Sequence, residues 1–236
     1  MKNLILLSLF FIILSCKNEN QEQVKMDNAT DSLKVETKTI LPDTVFFTDD
    51  EKSKWNDFAL IYLLDKKYEK DSILNGTFRI DFKNKSKQTI ASNIFKLRGV
   101  DEGAEWSGEL ELDSVASPLK RVDFGYPACG YTQNHFLFYV KKNQKADLVH
   151  EWYSNGDSGW GYWSEVISGN PDNFYFRTEN FSPIDGSAQD EFGLDEYFDS
   201  IHFKLENKKW QKTFLTQKGK VYRSRKVKFD EFYKQN

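Results

Sequence analysis

Histidine, cysteine, methionine and proline are all scarce in this chain of 236 residues, at 3, 2, 2 and 5 respectively. Two cysteines are too few for a disulfide-stapled scaffold, which depends on several bridges. Three histidines argue against a histidine-rich zinc centre. Neither sign of charge is in excess: 33 Lys and Arg face 36 Asp and Glu, and a formal net charge of −3 is too mild to imply a nucleic-acid partner. The phosphate-loop pattern Gly-x-x-x-x-Gly-Lys-[Ser/Thr], the Gly-x-Ser-x-Gly elbow and the His-Glu-x-x-His metal motif are missing as well. His150-Glu151 begins like the last, but Ser154 stands where the second ligand is required. Nothing in the chain implies a metal or a cofactor. Long apolar runs are also absent, save one from Leu4 to Leu14. Eleven residues at about 1.5 Å rise reach about 17 Å, against roughly 30 Å of bilayer hydrocarbon. Behind Lys2, that run reads as the apolar region of a signal peptide over residues 1–15, not as a membrane span.

What the chain has in quantity is aromatic rings: 20 Phe, 11 Tyr and 6 Trp, 16% of all residues. Such a chain buries a large core without disulfides. Apart from Phe10 and Phe11 in the N-terminal apolar run, the rings begin only after residue 43. Residues 17–43 hold few large apolar side chains and no aromatics, so they read as a flexible tether. A coil of that length holds a body roughly 30 Å from its anchor.

Residues 44–236 read as one mainly β domain. "TDDEKSKWNDFALIYLLDKKYEK" opens it with a capping-box pair, Thr48 and Glu51, and apolar residues at helical spacing, which predicts a helix over 49–67. The run "FALIYLL" is apolar all round, so the alternative is a helix ending near Asp57 and a strand over 58–64. From residue 73 the period becomes two, and eleven segments read as strands separated by turn clusters such as "KNKSK" and "SGNPDN". The clearest sets Ile201, Phe203 and Leu205 inward and His202, Lys204 and Glu206 outward. Short connections predict antiparallel neighbours, in a β-sandwich or partly closed barrel.

The residues after the apolar run, Ile13-Leu14-Ser15-Cys16, resemble the lipobox of bacterial lipoproteins, though with Ile13 and Leu14 where that pattern has Leu and a small residue. The resemblance implies cleavage before Cys16, lipidation of its sulfur and, because Lys17 is not an inner-membrane retention signal, an outer-membrane location. Two or more acyl chains at about 0.8 kcal/mol per buried methylene make such an anchor stable. With Cys16 lipidated, Cys129 has no intramolecular partner. A helix before eleven strands also resembles the lipoprotein-carrier half-barrel, on element count alone.

Three stretches invite chemistry. In "YPACGYTQNH", Cys129 is a candidate nucleophile with His135 or His150 as its base; the plainer reading is a small apolar residue in a tight turn. In "EWYSNGDSGWGYWSE", Trp152, Trp160, Tyr162 and Trp163 flank Asn155 and Asp157. Rings beside amide and carboxylate groups suit sugar recognition, whereas a core hairpin is the alternative. Strict alternation buries only one of Tyr162 and Trp163. Between Asn207 and Phe229 lie nine basic residues and no acid, while Asp185 to Glu206 carries seven acids against one lysine. That is either a solvated, aggregation-resistant face or a surface for an anionic partner.

Finally, five Asp-[Ser/Thr]-aliphatic triplets occur where composition predicts about one. They are similar to the O-glycosylation sequon of one group of Gram-negative envelopes, and Ser32 and Thr44 are the accessible candidates; local turn capping is the other explanation. Taken together, the expectation is a lipid-anchored envelope domain that binds a protein or glycan, an immunity-type inhibitor being one variant. The alternatives are a hydrolase using Cys129 or a carboxylate pair (Glu109 with Glu111, or Glu151 with Glu165), and a lipid or lipoprotein carrier.

Overall fold

A computed structural model describes residues 41–69, 73–100, 103–112, 117–126, 130–142, 144–184 and 192–234. The signal region, Cys16, Ser32, nearly all of the tether and Cys129 therefore lie outside the described residues.

The fold is mainly β, with fourteen strands among the described residues in two open sheets. The five-stranded sheet runs β1 (Asp43–Phe46), β2 (Asp57–Tyr68), β3 (Leu74–Asn84), β4 (Thr89–Arg98) and β8 (Gln144–Lys145), in that spatial order. It is antiparallel except where β8 meets β4 over two residue pairs. The nine-stranded sheet comprises β5 (Glu105–Leu110), β6 (Leu119–Gly125), β7 (Tyr131–Tyr139), β9 (Asp147–Asp157), β10 (Trp160–Asn170), β11 (Asn173–Pro183), β12 (Phe192–Glu206), β13 (Lys209–Phe214) and β14 (Arg223–Lys228). β12 is long enough to pair with β14 over its first half and with β13 over its second.

The helix predicted over 49–67 does not form. A single 3-10 turn, Lys54–Asn56, leads into β2. Thr48 and Glu51 make local contacts instead of a capping box: the Thr48 hydroxyl accepts the Asp50 N–H and Glu51 pairs with Lys54. The Asp50 backbone carbonyl accepts the N–H groups of Ser53 and Lys54, and its carboxylate accepts the Ser53 hydroxyl. The apolar run then pairs along both edges, with β1 and with β3, and buries Phe58, Ala59 and Ile61. An all-round apolar run fits a strand covered on both faces better than a helix with one dry stripe. All eleven segments read as strands from residue 73 onward are strands.

The core explains one irregular stretch of sequence. "HFLFYV" does not alternate because β7 is buried on both sides. Phe136 and Phe138 join Phe82, Phe95 and Ile80 between the two sheets. Leu137 and Tyr139 point the other way, onto Phe174 and Phe176 of β11 and Ile201 and Phe203 of β12. The large sheet achieves this by folding back on itself. β9 and β10 pair only from Trp160 to Tyr162, after which β9 follows β7 and β10 follows β11. A third cluster caps one end, where the short C-terminal helix α1 (Phe229–Phe232) sets Phe232 flat on Phe181 at 4.0 Å between centroids.

Candidate functional site

The turn joining β9 and β10 is a two-residue hairpin, Ser158-Gly159, with φ of 52° and 85°. Both values are left-handed, the requirement of a type I′ turn, and Gly159 meets it without strain. Just before it, Gly156 faces Tyr131 across the β7–β9 ladder. A Cβ at 156 would fall 2.8 Å from the Tyr131 ring, so only glycine lets the ring lie across the backbone there.

These two features border a groove of about 390 Å³. Tyr131, Trp160 and Phe181 supply its apolar wall, and Thr132, Asn155, Asp157, Asn180 and Ser182 its polar one. Trp160 is fixed by contacts with Phe181 at 4.5 Å and Phe229 at 4.8 Å. A neighbouring depression of about 330 Å³ shares Tyr131, Asp157 and Trp160, and adds Trp163 and Tyr233.

Of the residues singled out from the sequence, Asn155, Asp157 and Trp160 thus meet in one groove, with Trp163 beside it. Trp152 and Tyr162 lie elsewhere. Trp152 sits between layers, stacked on His135 at 5.0 Å and edge-on to Phe176 at 4.9 Å. Tyr162 packs on Phe198, and Trp163 on Phe232 from the opposite side of β10. Both rings are half-buried because both faces of β10 are covered, which alternation along one strand does not reveal. Tyr131, Asn180 and Ser182 escape sequence reasoning, since they lie on other strands and only register brings them to the turn.

His135 has partners that the sequence did not suggest. Its Nδ1 lies 2.5 Å from Asp123 Oδ1, and its Nε2 lies 2.6 Å from Ser154 Oγ. The three residues occupy adjacent strands β6, β7 and β9 and are 5%, 6% and 3% exposed. The order Asp–His–Ser matches a nucleophilic relay. Ser154, however, lies in mid-strand opposite Gln133 and borders neither depression beside the hairpin. Arg121 extends the network: it donates to Asp123 at 3.1 Å and to Glu111 at 2.9 Å, and is paired with Glu109 as well. Glu109 and Glu111 therefore converge on a cation and not on a substrate space. Glu165 likewise pairs with Arg177 at 2.6 Å, on the part of β10 that has left β9, the strand of Glu151.

His150, the other candidate base, lies among Trp152, Phe176 and Phe203. Burial, and then the nearby Lys212 ammonium, lower its pKa to about 3. It is a neutral member of an aromatic cluster.

A second acidic pair, also unforeseen, lies on the face of β11 and β12 that carries Phe181. Glu179 and Asp195 are 3% and 0% exposed, and each keeps one buried oxygen without a hydrogen-bond partner. Burial first, then hydrogen bonding to Asp195, raises the Glu179 pKa to about 7. In its protonated form the Glu179 carboxyl has a hydrogen to donate toward Asp195, which is what two facing acceptors require. Arg225 pairs with Asp195, and Arg177 approaches Glu179 at 3.5 Å while stacking on Tyr197.

The interior between the two sheets is filled by side chains such as Phe82 and Phe138, both 0% exposed. Open space remains at its mouth, a cleft of about 510 Å³ where Ile61, Leu63, Leu74, Phe78, Val100 and Trp106 meet Asp43, Lys66 and Glu105. Thr44 borders the same mouth, exposed on β1. Cys129 has no geometry to set beside His135, since it falls outside the described residues. No protein-family model matches the chain, and neither does any curated protein or solved structure, so its role rests on its own residues.

Proposed function

We propose that the chain is an envelope protein held by lipid on Cys16, whose β domain binds a glycan in the groove beside the β9–β10 hairpin without altering it. The observation that carries this reading is the convergence of two immobilised rings, Tyr131 and Trp160, with the short polar side chains Thr132, Asn155, Asn180 and Ser182. A pyranose offers an apolar C–H face to a ring and hydroxyls to amide and hydroxyl groups, so a small mixed wall of this kind matches it chemically. Rings already fixed by neighbours lose little freedom on binding. The tether gives the domain reach from the membrane surface.

The experiment is calorimetric titration of the full-length protein with envelope oligosaccharides, comparing wild type with Tyr131→Ala and Asn180→Ala. Binding that falls at least about tenfold in each variant supports the groove, since about 1.4 kcal/mol corresponds to tenfold. Binding unchanged in both variants, or no binding to any envelope oligosaccharide, overturns it.

A second reading, a serine hydrolase, is favoured by one observation: the hydrogen-bond order Asp123–His135–Ser154. Against it stand the burial of Ser154 and its position away from both depressions beside the hairpin. Labelling of Ser154 by a fluorophosphonate probe in the native protein would establish this reading over the first.

A further inference from the structure

β4 ends the five-stranded sheet with an unfinished edge. β8 covers it only at Ala91 and Ser92. Ala146 prolongs the cover by one bond, its N–H donating to the Ser92 carbonyl, and the Asn93 side-chain amide then caps the Ala146 carbonyl. Beyond that cap, Ile94 to Arg98 pair with β3 on one side and with no described residue on the other. Five residues of free edge present about 16 Å of unpaired backbone.

This edge borders a groove of about 630 Å³ that β9 and β13 close from the other side. Its rim carries Lys96, Lys145, Lys208 and Lys209, all exposed, against Asp147 and Glu151. Ile94 stands among the lysines with 59% of its surface in water. Trp210 forms the floor.

We infer that the β4 edge is a docking site for an extended acidic peptide segment of a partner protein, which adds to the sheet as a further strand. Open backbone groups supply the pairing, Ile94 supplies an apolar contact, and the four lysines select acidic side chains. Lysines on an edge deter cationic or neutral strands from aggregating there, and the same charges admit an anionic one. A second copy of this chain is a poor occupant, because its own Lys96 and Arg98 would meet their counterparts across the new pair. The site shares no residue with the hairpin groove, so glycan binding and peptide docking stand or fall separately.

The test is fluorescence anisotropy of the full-length protein with a labelled octapeptide alternating Glu and Val. Expected results are saturable binding that weakens with salt, a loss of about tenfold or more in Lys208→Glu/Lys209→Glu, and amide-exchange protection confined to residues 94–98. The same peptide N-methylated at alternate backbone amides, which keeps its charge but cannot pair, should fail to bind. Equal binding of the N-methylated peptide or of polyphosphate would reduce the site to a basic patch and overturn strand addition. Absence of peptide binding, an unaffected double variant, or a chain that sediments as a dimer through this edge would overturn it too.

Discussion

The chain buries two polar clusters, and they solve the same problem differently. Asp123, His135 and Ser154 form a sequence of alternating donors and acceptors, with Arg121 completing Asp123. Glu179 and Asp195 bring two acceptors together, leave two oxygens orphaned and require a proton to reconcile them. The first cluster sits between two layers of the folded-back sheet, and its cost of burial is met by hydrogen bonds. The second sits on the face of β11 and β12 that carries Phe181, and its cost is met by protonation, with Arg177 and Arg225 alongside. A buried network whose donors and acceptors already match needs no added proton to complete it. One completed by a shared proton stabilises conditionally.

The largest expected effect comes from breaking the complete network. His135→Ala leaves Asp123 and Ser154 without their common partner and should cost about 3 kcal/mol in denaturant unfolding. A loss no larger than that of an exposed substitution would show that the three residues do not depend on one another.

The conditional network should reveal itself through pH. The Glu179 pKa is raised from 4.5 to about 7 in the folded protein, so the proton binds more tightly there than in the unfolded chain. Its contribution is therefore fully present below about 4.5 and is lost as pH climbs through about 7, a change on the order of 2 kcal/mol once water at the rim is allowed for. Glu179→Gln replaces the shared proton with an amide hydrogen and should flatten unfolding free energy between pH 6.5 and 8. A wild-type profile already flat across that range would mean that no proton is shared.

His150 gives a limb of opposite sign. Its pKa falls from 6.5 to about 3 on folding, so the stability tied to its neutral form is present above 6.5 and drains away as pH drops toward 3. Between about 4.5 and 6.5 the two slopes oppose each other, so below 4.5 the difference between wild type and variant isolates His150 from Glu179. Replacing it by Gln should lessen the acid-side loss there, the remainder belonging to carboxylates held below their usual range such as Glu69 and Glu206, and leave the neutral-side slope untouched, as read by the same unfolding curves. The smallest effect belongs to Ser154→Ala, about 1 kcal/mol, because His135 loses one neutral partner and keeps Asp123. A much larger loss would mean that the serine does more than complete the chain.

Much of the molecule was legible in its residues. Strict alternation such as Ile201-His202-Phe203-Lys204 specifies a strand with one dry face wherever it occurs, because side chains on a strand point to opposite sides at every step. The breaks in alternation were harder to read. "HFLFYV" and "FALIYLL" look ambiguous because a run apolar on both sides is compatible with a strand between layers or with a buried helix, and the choice depends on what covers it.

By itself, then, the order of residues determined a β-rich domain and the positions of its strands from residue 73 onward, the two-residue β8 excepted, all of them consequences of short-range sterics and side-chain period. Only the tertiary structure decided that 57–68 is a strand and not a helix, that Trp152 is core while Trp160 borders a groove, and that His135 meets Asp123 and Ser154. Those outcomes hinge on register between strands and on the fold-back after Tyr162, which set residues distant in the chain face to face and determine which polar groups water can still reach.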